Sequence, residues 1–549
     1  MPSENPDVLV VGGSTVGLCT ALFLSRAGIR TLAVERRPAP PTHPRAMGIG
    51  PRTVEILRAA GLADAVDAQC VDMTGDNLQM FTTPTLAEAD LDVLSQQAPP
   101  RSDAFGRLTP QTLRGTCPQG RLDQVVVDEA RAAGARIEFG TELLDFVQDD
   151  EGVTAQVAGS DGIREIRARY LVAADGARSG VRERLGIATS GPGVLGDPLI
   201  SVLFHADLTE LTHGHTFVIC DITTPKASGG LLPVDGRREW IYHFRYSPDS
   251  GQKAEDFTPE KCAARIREAI GPAADVEPDV VSILPWQVRG LIADRFRSGR
   301  VFLAGDAAHV IPPVGAFGMN TGVADAHNLA WKLAHVLDGN AGGALLDTYE
   351  AERIPVARTA LEQSMLRLED PSLHWASGPE GRARRARAGA LNAPVVHLGY
   401  RYDSAAVLDA HPGLPSGEDV EADLDGSPGS RLPHHWLPGE RDRVSTLDLV
   451  DHRFTLLTGS RGQEWLDALG KVAARLGVPV DGHRVEDGDG TASETGAPWT
   501  TQVGVEDSGA LLVRPDGFVA WRAQSLDGAP EPRLEQALAA LLARPEQPS

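Results

Sequence analysis

The sequence predicts an α/β protein in which a helix-covered parallel sheet carries an inserted, mostly antiparallel sheet and a separate C-terminal unit. Three observations predict it. A short apolar strand, a glycine-rich turn, a helix and a second strand follow one another between Asp7 and Glu35. Two further apolar strands, residues 168–174 and 301–304, each run into an acidic residue, Asp175 and Asp306. Between those two, residues from about 190 to 285 alternate with the period of two that marks half-buried strands.

The chain has 549 residues, enough for three or four units at about 150 residues each. It is 42% hydrophobic and carries 52 basic against 75 acidic residues, a net charge of −23. That balance excludes nucleic acid and anionic membrane as main partners, because neutralising phosphate needs a basic surface. The five cysteines, Cys19, Cys70, Cys117, Cys220 and Cys262, are odd in number and lack C-x-x-C spacing. This pattern predicts a reduced, cytoplasmic protein without disulfides or a zinc cluster. The polar start, residues 1–7, reads as no signal peptide, and no uncharged apolar run reaches about 18 residues.

Residues 7–11 (Asp-Val-Leu-Val-Val) read as a buried strand because the run is short, β-branched and followed at once by glycine. Residues 18–27 read as a helix ended by Gly28, and residues 29–34 as the next strand with Glu35 at its tip. The pattern weakens from Met73 to Ser102, where Pro99-Pro100 breaks it, and a helix resumes over residues 121–133. A hairpin is predicted through residues 137–147 and 153–157. Strands of the insert are predicted at 199–206, 216–220 and 240–246, and a long helix at 320–337. The Arg/Ala-rich residues 378–390 read as a helix or linker. Beyond about 400, a strand at 454–458, a helix at 464–476 and strands at 510–513 and 518–521 around a Pro515-Asp-Gly517 turn make the third unit.

Gly12-Gly-Ser-Thr-Val-Gly17 departs from G-x-G-x-x-G by placing Ser14 at the second glycine. Gly12 permits the tight turn and Gly17 close helix–strand packing, so the helix N-terminus, with Ser14, Thr15 and Val16, faces a pyrophosphate. A carboxylate at Glu35 accepts from ribose hydroxyls and repels a 2′-phosphate, which favours FAD or NAD over NADP in this Rossmann-like fold. Arg36 follows it. Asp175-Gly176 tips the second strand, where open α/β sheets collect ligands, although a simple Asp cap also explains it. Gly305-Asp306 tips the third, and Pro312-Pro313 and Gly318-Met319-Asn320 lead into the long helix with Asp325, Asn328, Trp331 and Lys332.

In this order and spacing the motifs resemble the FAD-dependent aromatic hydroxylases, the single-component class A flavoprotein monooxygenases, over most of residues 7–370. The resemblance implies that Asp175-Gly176 touches flavin and nicotinamide, that Asp306 binds the ribityl chain, and that Arg45, in His43-Pro-Arg45, lies near flavin and pyrophosphate. Gln119 is similar to the family's flavin-binding Gln. Residues 399–404, 432–437 and 512–522 resemble the aromatic polyketide hydroxylase subgroup, whose third domain is thioredoxin-like without redox cysteines. The implied domains are FAD-binding over 1–75, 103–188 and 286–375, substrate-binding over 76–102 and 189–285, and thioredoxin-like over 400–549. Ala316 departs from the family, standing where a glycine is common.

The family mechanism implied is reduction of FAD by NADPH or NADH, oxygen addition at flavin C4a, and hydroxylation of a phenolic ring by the hydroperoxide. The cofactor supplies the hard chemistry. Partners would be an aromatic small molecule and O2, with the chain a monomer or homodimer. Pro313, Gly318, Met319 and Asn320 are expected beside the ring, and Phe81, Phe204, Tyr242, Phe244, Trp286 and Phe317 in the pocket wall, read from alternation alone. His205, His243 and His309 lack metal-ligand spacing and read as structural, and no metal is expected. Alternatives are Baeyer–Villiger or decarboxylative oxygenation on the same scaffold, or a non-catalytic flavoprotein that holds a polyketide. The absent W-x-W-x-I-P segment argues against a halogenase.

Overall fold

The computed structural model describes residues 5–75, 78, 80–98, 105–376, 378–410, 416–437, 444–486 and 497–544. The Pro99-Pro100 break and Ser102 lie outside them. One sheet has six strands in the order Arg297–Ser298, Val301–Leu303, Tyr170–Ala173, Val8–Val11, Thr31–Glu35, Arg136–Phe139, with every neighbour parallel except the first pair. Its central strands are buried along their whole length, as helices on both faces require. The helix Thr15–Arg26 packs between Gln119–Ala132 and Phe317–Leu337. The sequence reading placed residues 137–157 in one hairpin. Instead Arg136–Phe139 is the parallel edge strand, Gly140 turns the chain at φ +69°, and the hairpin begins at Glu142 within a three-stranded antiparallel sheet.

The inserted sheet has seven strands in the order His309–Val310, Asp279–Ala293, Thr189–His205, Glu239–Arg245, Gly229–Pro233, Ile219–Ile222, Met80–Thr83. All neighbours are antiparallel except the last pair. The strand Asp279–Ala293 runs unbroken past residue 285 and pairs with His309–Val310, so this sheet is continuous with the nucleotide unit. Helix Pro259–Ile270 starts cleanly because Thr258 caps it and Pro259 presets its first φ. Its apolar face, Cys262, Ile266, Ala269 and Ile270, covers one side of the sheet.

The C-terminal unit has a four-stranded sheet in the order Val480–Arg484, Phe454–Thr458, Ala510–Val513, Val519–Ala523, the first pair parallel and the others antiparallel. Helices Gln463–Leu476 and Pro530–Leu541 pack on it. The Arg/Ala-rich segment is a helix, Gly378–Ala388. Among the described residues no helix is long and apolar enough to cross a membrane, and the five cysteines are free thiols.

A buried charge network joins this unit to the rest. Glu352 accepts from Lys332 Nζ at 2.7 Å, Asn328 Nδ2 at 2.7 Å and Arg514 at 2.6 and 2.9 Å. Arg514 also pairs with Asp516, which accepts from Asn328 at 3.0 Å. Two cations face two anions, and their side chains are 0–2% exposed. Burial would raise the Glu352 carboxyl, but Arg514 and Lys332 more than offset it and hold it below its usual range. Burial pushes Lys332 down to about 8. Breaking such a pair leaves a buried charge unmatched, so Arg514→Met is expected to cost about 3–5 kcal/mol of stability in urea denaturation. A loss under about 1 kcal/mol, the level of exposed pairs, would contradict this role.

Candidate active site

The two units leave a cleft whose floor is built by the carboxyl ends of the parallel strands. Gly12 has φ +115°, and a Cβ there would stand 2.2 Å from the Ala174 carbonyl oxygen. A Cβ on Gly17 would meet the Gly12 carbonyl oxygen at 1.9 Å. No other residue fits either place, so the strand Val8–Val11 turns at once into the helix Thr15–Arg26, whose N-terminus opens on the cleft. Ser14 stands at the N-cap with extended backbone. Val16 packs its side chain where Cβ atoms of Gly305 and Gly322 would otherwise sit, 2.8 and 2.6 Å away. Its contribution is therefore close packing of turn and helix rather than a side-chain contact to cofactor.

Glu35 is buried, and three donors already reach it: the Gly13 amide at 2.7 Å, the Arg37 amide at 2.9 Å and Arg37 Nε at 2.8 Å. Burial would raise its pKa, but these hydrogen bonds outweigh it and hold the carboxyl below the usual range. A carboxylate offers about four acceptor positions, so one remains for a ribose hydroxyl. Arg36 is exposed, whereas Arg37, two residues beyond Glu35 and on its side, turns inward with a buried Nη1 that has no hydrogen-bond partner. Strand alternation, which the sequence reading did not apply here, explains the exchange. Arg45 is open to the cleft and makes no hydrogen bond; burial and Arg37 lower its pKa, against the pull of Asp306, Glu35 and Asp123.

Asp175 is part cap and part free. Its Oδ2 accepts from the Val181 amide at 3.1 Å, while its buried Oδ1 has no partner, and burial raises the carboxyl. Gly176, at φ +86°, has open space on its Cβ side. Gly305, at φ +59°, donates its amide to Asp325 Oδ2 at 3.0 Å, which fixes the turn that presents Asp306. The Asp306 carboxylate makes no hydrogen bond. Protein packed around it raises its pKa, yet its surface is open to the cleft, so water there offsets part of the rise. His309 Nε2 donates to Asp325 Oδ2 over 2.6 Å, in keeping with a structural role.

At the ring end, Pro313 is exposed, and Gly318 and Met319 are half-buried at the start of the helix Phe317–Leu337. Met319 Sδ lies 3.9 Å from Thr15 Oγ1, which joins the two helix N-termini. Asn320 does not turn its side chain to the cleft. Its Oδ1 accepts from the Gly50 amide and Thr53 Oγ1, both at 2.7 Å, and its Nδ2 donates to the Gly48 and Ala316 carbonyls. It ties the helix Pro51–Ala59 to the long helix. Ala316 holds a left-handed φ of +56° at the N-cap of that helix, a conformation that favours glycine.

The pocket wall differs most from expectation. Phe81, Phe204, Tyr242 and Phe244 are all buried in the core under helix Pro259–Ile270, with Tyr242 donating to the Ala227 carbonyl. Phe317 packs against His397 and Val396. Alternation separates two faces of a strand but does not say which one a helix will cover. The cleft face carries the intervening residues instead. Ser201 on Thr189–His205 pairs across the sheet with His243, and Trp286 lies 5.9 Å from the His243 ring. His43 bridges this face to the nucleotide unit, with Nδ1 2.6 Å from Ser282 Oγ and Nε2 2.7 Å from Ser201 Oγ. Burial lowers both His43 and His243 to about 4, so both are neutral at pH 7. Of the predicted wall, only Trp286 faces the cleft.

Sequence reasoning also missed Asp123, buried behind the glycine turn. It sits four residues after Gln119 and so on the same helix face, a spacing that could have found it. Gln119 Nε2 donates to Ser14 Oγ at 2.9 Å and Thr15 Oγ1 at 3.0 Å, and both hydroxyls reach Asp123.

The glycine turn a Cβ would fill, the orphaned Arg37 Nη1 and Asp175 Oδ1, and the unpartnered Asp306 fit a dinucleotide with an anionic pyrophosphate and a hydroxyl-bearing chain. The fold and this site define a dinucleotide-binding α/β protein. Residues 5–364 match the family described as FAD binding domain, and residues 425–545 match aromatic-ring hydroxylase, C-terminal. The tetracenomycin A2 monooxygenase-dioxygenase of Streptomyces glaucescens is 42% identical over 568 residues, covering 99% of this chain and 98% of that one. The aklavinone 12-hydroxylase of Streptomyces purpurascens is 40% identical over 542 residues, covering 96% and 98%. The crystal structure of a ternary complex of aklavinone-11 hydroxylase with FAD and aklavinone matches with a TM-score of 0.84 at 37% identity, covering 99% of this chain and 100% of that one. The chain belongs to the FAD-dependent aromatic-ring monooxygenases and, within them, to the aromatic polyketide hydroxylases.

Two predictions follow from this geometry. Asp306→Ala is expected to weaken FAD retention by about 1.5–3 kcal/mol, the worth of a charge-assisted hydrogen bond, read from the flavin-to-protein absorbance ratio after gel filtration; full occupancy would count against Asp306. Ala316→Gly is expected to raise stability by about 1 kcal/mol by relieving the left-handed strain, read as an upward shift in unfolding midpoint.

Proposed function

We propose that this chain consumes NADPH or NADH and O2 to hydroxylate a polycyclic phenol of the aromatic polyketide class. One observation carries the reading: the residues suited to FAD and a polar, aromatic-edged sheet face look into the same cleft. When bound, FAD reduced by the nicotinamide supplies the oxygen-activating chemistry. The chain's own residues do the rest. Asp306 and Glu35 hold the ribityl and ribose hydroxyls, and the N-terminus of Thr15–Arg26 meets the pyrophosphate. The amides at Gly318 and Met319, which open the long helix, would stabilise negative charge on a reduced ring through the helix dipole. Half-buried Ser282 and neutral His243 would meet the phenol hydroxyls, His43 and Ser201 would hold them from behind, and Trp286 would offer an aromatic edge. The relatives' names, a tetracenomycin A2 monooxygenase-dioxygenase and an aklavinone 12-hydroxylase, support the substrate class.

The same reading keeps the domain division, FAD-binding over 1–75, 103–188 and 286–375, substrate-binding over 76–102 and 189–285, and a thioredoxin-like unit over 400–549, except that the strand Asp279–Ala293 carries the substrate-binding sheet past 285. The strand order of the C-terminal sheet and its two flanking helices support the last assignment, and no cysteine follows Cys262. The cysteine pattern supports a reducing, cytoplasmic setting.

The test is turnover of the purified yellow holoprotein with NADPH or NADH, 18O-labelled O2 and a panel of polycyclic phenols. The expected result is a product that carries one labelled phenolic oxygen. A lactone or ester product would assign ring insertion instead. Anaerobic bleaching with NADPH or NADH, but no oxygenated product from any phenol, would leave a binding flavoprotein and overturn the hydroxylase reading.

A further inference from the structure

The hydroxyls that open the first helix are committed before any cofactor arrives. Gln119 gives its Nε2 hydrogens to Ser14 Oγ and Thr15 Oγ1, so each hydroxyl accepts there and must turn its own hydrogen elsewhere. Both turn to Asp123: Ser14 Oγ lies 3.3 Å from Oδ2, and Thr15 Oγ1 is in short contact with Oδ1. Thr15 is only 1% exposed, whereas Ser14 is half-buried, so Ser14 is the hydroxyl a pyrophosphate can meet; while Asp123 is ionised it offers only lone pairs, with a buried anion directly behind it. Two anions so arranged repel, and the hydrogen bonds point the wrong way.

A proton on Asp123 reverses this. The neutral acid donates from Oδ2 to Ser14 Oγ, whose hydrogen is then free to turn toward a phosphate oxygen, while Oδ1 still accepts from Thr15, and the repulsion disappears. We propose that Asp123 takes up one proton from solvent when FAD binds, and serves in the holoprotein as a neutral acid that aims the Ser14 hydroxyl at the pyrophosphate.

The surroundings agree. Asp123 is 0% exposed, and burial raises its carboxyl to about 7, more than the Thr15 and Ser14 hydroxyls and the Arg37 and Arg45 charges lower it. The other titratable groups that face it are Cys19 on Thr15–Arg26 and Cys117 just before its own helix, and each thiol feels its charge. Glu35 and Asp306 stand across the site beside Arg45. Burial raises Cys19, whereas a hydrogen bond from Cys70 lowers Cys117, so Cys117 is the rival titrating group. The sign follows from linkage. Bound FAD raises the Asp123 pKa, so affinity is fully present below the free-protein value and falls as pH rises, by at most about tenfold per pH unit for one proton.

The experiment follows FAD release from diluted holoprotein by flavin fluorescence between pH 6 and 9. In the parent protein the dissociation constant is expected to rise up to about tenfold per unit above pH 7. Asp123→Asn, which stays neutral and can donate, is expected to hold FAD at the low-pH strength without that slope. Ser14→Ala, with its donor removed, is expected to release FAD at low pH as readily as the parent does at high pH, and again without slope. Cys117→Ser is expected to keep the parental slope. A parental constant that does not change across the range overturns the proposal, even if no variant folds. So does an unchanged slope in Asp123→Asn, or its loss in Cys117→Ser.

Discussion

The structure depends on one buried carboxylate. Asp325 is 0% exposed and accepts from the Gly305 amide, His309 Nε2 and Arg353 Nε. An ionised group so deep is tolerated only with its lone pairs met by donors. Meeting them brings together four parts of the chain: the turn that presents Asp306, the short strand at His309, the long helix and the helix of Arg353. Arg353 in turn reaches the Tyr402 hydroxyl at 3.0 Å and the Thr321 carbonyl at 3.1 Å. The turn that presents Asp306 and the C-terminal unit are thus held through the same side chain.

The Glu352–Arg514–Asp516 network extends that tie along the long helix to the C-terminal unit. Its polar groups satisfy one another across the junction and give the long helix a fixed seat. A helix held at both ends keeps its N-terminus, and the amides there, in register with the glycine turn of the first strand.

Net charge and local charge run in opposite directions. The chain as a whole is acidic, at −23, yet Arg37 and Arg45 stand beside the glycine turn, where a pyrophosphate would bring two negative charges. The acidic groups nearby are each managed differently. Glu35 is hydrogen-bonded, Asp306 is left open, and Asp123 is buried against hydroxyls. The differences are in donors and solvent, and the sequence writes all three simply as acids.

What the sequence by itself determined is the parallel sheet and its ligand edge. Glu35, Asp175 and Asp306 are legible because each ends or follows a strand of the parallel sheet, and Gly12 and Gly17 because backbone sterics allow only glycine there. Ala316 was legible as a departure for the same reason. The tertiary structure alone decided which face of the inserted sheet looks into the cleft, since Phe204 and His243 alternate equally well on paper and only the docking of helix Pro259–Ile270 buries one of them. It also decided that Arg37 rather than Arg36 turns inward, that the Asn320 side chain is used up in tying Gly48 and Gly50, and that Asp123 stands behind Thr15. Each of these rests on contacts between segments far apart in the chain, and burial and hydrogen-bond satisfaction there are settled only when the segments meet.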